Sequence, residues 1–228
     1  FDFGRADFEI FATMNAAKEV GGDFYDFYLV DENHLVVTIA DVSGKGVPAA
    51  LFMAISKTIL KNFTMSMTNP DDFAAVMTLS NNQLCQGNEE MMFVTVFTAM
   101  IDLKSGEMTF VNGGHNPPMI YRKATGQFEY IKVEENCVLG LMEEMDFVQQ
   151  KIQLERGDIL YLYTDGVTEA MDGQRNQYGE ERLSKCLNGV DKVASLENIL
   201  KEVRADLTKH VKDAEQSDDI TMVAVRLP

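Results

Sequence analysis

With 228 residues and 46% hydrophobic side chains, the chain suffices for one large domain or two small ones and is apolar enough to bury a core. Its 36 acidic residues against 20 basic ones leave a formal charge of −16, which repels nucleic acid and anionic lipid and argues against both as partners. No apolar run approaches the ~18 residues of a membrane span and no signal peptide opens the chain. Three cysteines without metal-ligand spacing (Cys85, Cys137, Cys186) suit a reducing, cytoplasmic setting.

Taken in chain order, apolar or alternating runs bounded by turn residues predict strands at 8–14, 24–30 and 35–40. Helical periodicity follows over 47–65, with Val47, Leu51, Phe52, Ile55, Ile59 and Phe63 on one face and Pro48 in the first turn behind a glycine-rich loop. A second helix fits 70–86, opened by Asn69-Pro70-Asp71-Asp72. Strands return at 92–102, 107–112, 118–122, 127–132, 147–154 and 158–164, then helices at 179–188 and 195–211, then a last strand at 220–227. The turns Asp31-Glu32-Asn33, Lys104-Ser105-Gly106, Ala124-Thr125-Gly126 and Glu155-Arg156-Gly157 are short, which means antiparallel hairpins. The expected class is α+β, layered sheets and helices, in a single domain over 1–228. The first residue is Phe1, so the chain reads as a fragment with a regulatory or sensor segment expected upstream; no direct membrane contact is expected from this segment itself.

Four apolar strands carry an aspartate at one end, and the ends alternate: Asp23 precedes 24–30, Asp41 follows 35–40, Asp165 follows 158–164, and Asp218-Asp219 precede 220–227. In an antiparallel sheet the start of one strand lies beside the end of its neighbour, so all four can reach one edge. A three-residue turn at 31–33 pairs 30 with 34 and 29 with 35, and by continuation 23 with 41. Two carboxylates facing each other repel unless protonated or bridged by a cation. An all-oxygen set favours Mg²⁺ or Mn²⁺ over zinc. Against this stands ordinary turn chemistry, which also puts Asp at strand ends.

The motifs around these aspartates are Gly21-Gly22-Asp23-Phe24-Tyr25-Asp26, Ala40-Asp41-Val42-Ser43-Gly44-Lys45-Gly46, Tyr163-Thr164-Asp165-Gly166-Val167-Thr168-Glu169 and Ser217-Asp218-Asp219-Ile220-Thr221. With Asn112-Gly113-Gly114-His115-Asn116-Pro117-Pro118, they resemble the metal-dependent protein phosphatase (PPM, type 2C) superfamily, in the bacterial branch typified by the stage II sporulation E protein and the phosphatases that regulate stress sigma factors. The resemblance covers about residues 8–227. It implies an α-β-β-α sandwich, two mainly antiparallel sheets flanked by helices, and two Mn²⁺ or Mg²⁺ ions held at one end. Carried over motif by motif, Asp23, Asp41, Asp165 and Asp218 match metal carboxylates and Val42 matches a position whose main-chain carbonyl is a ligand. Related enzymes carry Asp-Asn where this chain has Asp218-Asp219, which leaves Asp219 as the fallback; Asp26 is an outer-shell candidate. The implied activity is hydrolysis of phosphoserine or phosphothreonine by in-line attack of a hydroxide bridging the ions, so Asp23 and Asp41 act catalytically through bound water. The implied substrate is a small phosphorylated regulator of the anti-anti-sigma type.

The chain departs from eukaryotic relatives in two places: no histidine follows Asp41, and no arginine before Asp23 clearly matches their phosphate-gripping one, although Arg5 exists. The main chain of Gly44-Lys45-Gly46, ahead of the first helix, is the candidate phosphate grip. His115 stands either near the site or as a support for its Gly-Gly and Pro-Pro bends, while His34 and His210 are expected to face solvent. The polar stretch 166–179 is expected to be a mobile loop to which Glu169 or Asp172 adds contacts. Gly44-Lys45-Gly46 lacks P-loop spacing and Ser43 lacks a matching base, which excludes nucleotide binding and a hydrolase triad. Two other readings stay open: a non-catalytic signalling module on the same fold, and a small-molecule phosphatase.

Overall fold

The computed structural model describes residues 5, 7–67, 70–134 and 136–227. Asn69, expected to open the second helix, and the extreme ends of the expected 1–228 domain lie outside the described residues. The first half contains β1 (Glu9–Asn15), β2 (Phe24–Leu29), β3 (His34–Val42), α1 (Val47–Met65), a 3₁₀ turn at Pro70–Asp72, α2 (Phe73–Cys85) and β4 (Val94–Asp102). It continues through β5 (Glu107–Gly113), β6 (Met119–Arg122), β7 (Gln127–Tyr130), β8 (Gln150–Gln153) and β9 (Ile159–Tyr163). Last come α3 (Asp165–Thr168), α4 (Glu180–Gly189), α5 (Leu196–Val211) and β10 (Ile220–Arg226). All ten expected strands and four expected helices are present; only α3 is additional among the described residues.

The chain divides into two units, Lys18–Asn116 with Lys132–Leu154, and Phe1–Ala17 with Pro117–Ile131 and Glu155–Pro228. Each holds one five-stranded antiparallel sheet, which bears out the expected pair of mainly antiparallel sheets with helices.

In the first unit the sheet runs β2-β3-β4-β5-β8. Its core joins Phe24, Val36, Ala40 and Met100 of the strands to Phe52 and Leu60 of α1 and Phe73, Met77 and Leu84 of α2. The face that α1 buries differs from expectation. Ala49, Phe52, Ser56, Leu60 and Thr64 are its buried residues, whereas Val47, Leu51 and Ile55 are 64%, 62% and 52% exposed. Small side chains at Ala49 and Ser56 let the helix lie close to its neighbours, and Thr64 satisfies its hydroxyl on the Leu60 carbonyl. The helix carries two adjacent apolar stripes, and periodicity alone does not select between them. Lys57 then ties α1 to β2 through the Tyr25 carbonyl at 3.0 Å.

In the second unit the order is β1-β10-β9-β6-β7. Here the pattern on α5 is unambiguous: Leu196, Ile199, Leu200, Val203 and Leu207 form one buried stripe against Tyr161, Met222 and Ala224, with Leu183 and Leu187 of α4. Each such side chain contributes about 1.5–3 kcal/mol by leaving water. Ser195 caps the helix by accepting from the Asn198 N–H at 3.3 Å. Arg226 fastens the α4–α5 connection to β10, donating to Glu9 and to the carbonyls of Lys192 and Ala194.

Candidate functional site

In the first unit, β2 and β3 pair antiparallel from Leu29↔Leu35 to Phe24↔Ala40, the register expected from the three-residue turn. One step further along that register lies the Asp23–Asp41 position. β3 does not stop before Asp41, as the sequence suggests, but runs through Val42, because β4 continues to pair with it at Asp41↔Thr95 and Val42↔Val94. Asp41 therefore stands on a strand held from its β4 side. Asp23 is 2% exposed and Asp41 is half-buried. Gly22 lies so near that a Cβ placed on it would be 2.8 Å from the Val42 carbonyl oxygen and 3.6 Å from Asp41 Oδ1. That approach requires glycine, and it holds the Gly22-Asp23 corner against the Val42 carbonyl and Asp41 carboxylate.

The second unit repeats the device. Thr164 and Thr221, both fully buried, lock the ends of β9 and β10: the Thr164 N–H donates to the Thr221 carbonyl and the Thr221 N–H donates to Thr164 Oγ1, each at 3.1 Å. Asp165 opens the short α3 rather than a loose loop, its carbonyl accepting from the Glu169 N–H at 2.7 Å and from Thr168 Oγ1 at 3.2 Å. A Cβ on Gly166 would lie 1.9 Å from the Asp219 carbonyl oxygen and 3.5 Å from the Asp218 carbonyl carbon. Gly166 is thus pressed on the Asp219 carbonyl, at the Asp219-Ile220 peptide, with no space for a side chain between. The two late aspartates have different duties. Asp219, 7% exposed, accepts the Ala17 N–H on Oδ1 at 2.8 Å, while half-buried Asp218 accepts the Asp219 N–H at 2.9 Å and is steadied by Gln216, which donates to its carbonyl.

Among the described residues, no three His, Cys, Asp or Glu are gathered into a ready metal cage. Each unit instead presents carboxylates from two motifs beside main-chain carbonyls. That all-oxygen set fits a hard cation such as Mg²⁺, which is commonly held by one or two protein carboxylates and completes its shell with water. The fit is of donor chemistry: glycine replaced by any other residue at Gly22 or Gly166 would disturb the oxygens on offer.

The remaining candidates separate. Asp26 pairs with Thr38 in the ladder and its Oδ2 lies 3.6 Å from Lys61 of α1, so it is placed toward α1. Gly44 and Gly46 take φ of 85° and 78° around exposed Lys45; Gly46 precedes α1, whose first turn has no side-chain cap and no acidic residue. Glu169 is exposed. Asp172 is occupied in its own loop, accepting the N–H groups of Gln174 and Asn176 and the Asn176 amide, which hold its carboxyl below the usual range. The expected mobile stretch 166–179 is stitched by Tyr178 N–H to the Ala170 carbonyl and Gly179 N–H to the Thr168 carbonyl, both 2.8 Å. His210, expected in solvent, is half-buried between Arg182 and the Asn176 carbonyl, edge-on to Tyr178.

His115 is buried, its main chain bracketed by the Asn112 amide. Its Nδ1 is 2.8 Å from Thr95 Oγ1, and that hydroxyl donates to the Asp41 carbonyl at 3.4 Å. Thr95, unnoticed in the sequence, thereby links the Gly-Gly-His turn to the Asp41 strand; it could be found only once β4 was known to pair with β3 at this register. Thr95→Val removes a hydroxyl from a buried histidine at constant shape. It is expected to cost about 1–3 kcal/mol of stability, read by chemical denaturation of the two proteins.

The fold is that of PP2C phosphatase domains: the SiaA PP2C domain of Pseudomonas aeruginosa superposes with a TM-score of 0.83 at 19% identity, over 96% of this chain and 86% of that one. RsbX, solved in complex with magnesium, matches with a TM-score of 0.70 at 16% identity, over 97% and 96% of the two chains. The profile of the family described as Stage II sporulation protein E (SpoIIE) matches residues 31–228, and the chain belongs to that family. Among curated relatives, Protein IcfG of Synechocystis sp. is 30% identical over 95% of this chain and 37% of its own length. Phosphoserine phosphatase RsbU of Bacillus subtilis is 30% identical over 96% of this chain and 63% of its own length. The chain thus spans between about a third and two thirds of these relatives. No helix of the described residues is long and apolar enough to cross a membrane.

Proposed function

We propose that the chain is a metal-dependent protein serine/threonine phosphatase domain acting in the cytoplasm on a phosphorylated regulator of the anti-anti-sigma type. The observation that carries the reading is the repeated device of Gly22 against Val42 and Gly166 against Asp219, each beside aspartates that the family motifs single out. Membership of the SpoIIE family and likeness to a phosphoserine phosphatase support the activity, and three free cysteines suit the compartment.

In this reading Asp23, Asp41, the Val42 carbonyl, Asp165 and Asp218 hold two Mn²⁺ or Mg²⁺ ions. When bound, such ions supply an acidified water and offset charge on a phosphoryl group. The work of the chain is to fix oxygen donors. β4 and Thr95 hold the Asp41 strand, and Gly22 brings the Asp23 corner to the Val42 carbonyl. The Thr164–Thr221 lock sets the β9 end from which Asp165 projects. Each late aspartate accepts one main-chain N–H, but Asp219 is the more buried of the two, and the reading keeps the half-buried Asp218 as the ligand. Metal-dependent release of phosphate from phosphoserine peptides tests the assignment, and absence of release with both Mn²⁺ and Mg²⁺ would favour the non-catalytic module.

The phosphate grip is assigned to the main chain of 44–46 with Lys45 beside it. Lys45→Ala is expected to raise the KM for a phosphoserine peptide several-fold, as exposed charge contacts contribute up to ~1 kcal/mol. An unchanged KM and turnover would remove Lys45 from the grip.

A further inference from the structure

The second unit holds a partly open cavity of about 180 Å³ lined by Gly166 and Asp218 together with the end of α5. Its floor is apolar, from Ala170, Leu207 and Ile220, all at most 7% exposed, with half-buried Val211 beside them. Its rim is polar, from Thr208, Lys212, Gln216 and Ser217. The chain is bent around it: Lys212 ends α5 at φ 55°, a left-handed conformation unusual for a side chain of this length.

Size and placement together limit the occupant. The cavity exceeds the space of one or two waters and falls short of the ~300–1,000 Å³ of drug-sized ligand sites. It compares with the ~150 Å³ apolar cavity that accepts a single benzene ring. One branched aliphatic or aromatic side chain matches that space. A free molecule so small binds weakly, since affinity is limited per atom. A side chain tethered to a phosphoserine already held near Asp218 is delivered at high effective concentration, and there the contact counts. The polar rim suits the main chain on either side of such a residue. Asp218 belongs both to this wall and to the proposed ligand set, and Gly166 directly follows Asp165 of that set, so the cavity adjoins the set without an intervening element.

We propose that this cavity is an anchor pocket for one apolar side chain of the phosphoprotein substrate, close in sequence to the phosphorylated residue. The inference rests on the phosphatase reading above and adds a specificity determinant to it.

The test uses a panel of phosphoserine heptapeptides with leucine or alanine at each flanking position in turn, with p-nitrophenyl phosphate as a substrate that has no flanking residue. For the native chain, leucine at one position is expected to raise kcat/KM about tenfold or more over alanine, the scale on which apolar pockets discriminate. Thr208→Phe, placed at an exposed rim position, and Ala214→Phe, at a half-buried one, fill the cavity and are expected to bring that leucine-to-alanine ratio to about one. Because the readout is a ratio, a general loss of activity does not imitate the result. Hydrolysis of p-nitrophenyl phosphate without any positional preference, or a preference that survives both substitutions, overturns the pocket and leaves the phosphatase reading standing. No hydrolysis of any substrate by the native chain overturns both.

Discussion

Asp41→Asn is expected to reduce Mn²⁺-dependent hydrolysis of p-nitrophenyl phosphate about a hundredfold or more, since even groups that merely support metal ligands cost 10–100-fold when removed. The same substitution is expected to leave the metal-free fold as stable as before, or slightly more so. The β2–β3 register, paired as far as Phe24↔Ala40, sets Asp41 opposite Asp23 when extended by one step, and neutralising one of two carboxylates at such positions relieves repulsion while keeping the side chain's shape. Stabilisation by added metal should fall in parallel. A protein saturated with Mn²⁺ at a hundred times its Kd gains about 2.7 kcal/mol, and the Asn variant should lose most of that gain. Thermal melts with and without Mn²⁺, run beside the kinetics, separate loss of metal from loss of fold. An Asn variant that retained both full activity and the full metal-induced shift would remove Asp41 from the ligand set.

Gly166→Ala is the second large effect, and its cause is steric. A methyl group there would sit 1.9 Å from the Asp219 carbonyl oxygen. The obstacle is main chain, so no flexible side chain can swing aside. Either the α3 corner or the Asp219-Ile220 peptide must move by an ångström or more. Overpacking of this kind costs about 3 kcal/mol, or roughly 6–12 °C in Tm for a chain of this size. Displacement of reacting groups by 1 Å costs about a hundredfold in rate, so activity should fall even well below the melting range. Gly22→Ala meets the Val42 carbonyl at 2.8 Å and should be the milder of the two. The order of the two glycines, measured as Tm and kcat in one series, checks the geometry directly.

Much of this was legible from the residues because the relevant signals are local. The three-residue turn at 31–33 set the β2–β3 register, and hence the Asp23–Asp41 relation, without any distant contact. Alternation and turn chemistry gave ten strands, and Leu196, Ile199, Leu200, Val203 and Leu207 on α5 formed a single stripe with one possible orientation. What was not legible depends on partners far along the chain. The buried face of α1 could not be chosen, because Val47-Leu51-Ile55 and Phe52-Leu60 are both apolar and only the sheet and α2 decide between them. The role of Asp219 rests on Ala17, 202 residues away. Thr95 has no distinguishing neighbourhood in sequence, and its link from Asp41 to His115 exists only through the pairing of β3 with β4. Glycine before or after an aspartate likewise reads as a turn signal, whereas at Gly22 and Gly166 the missing side chain makes room for another residue's carbonyl.

The central claim, that oxygen donors fixed by this fold hold divalent ions for hydrolysis of a phosphoserine ester, is tested most directly by the rate of phosphate release from a phosphoserine peptide as a function of free Mn²⁺. The rate is predicted to rise saturably from nothing in the presence of EDTA, and to return when Mn²⁺ is restored. A rate that is the same in EDTA as in Mn²⁺, or no release at saturating Mn²⁺ and Mg²⁺, would contradict it.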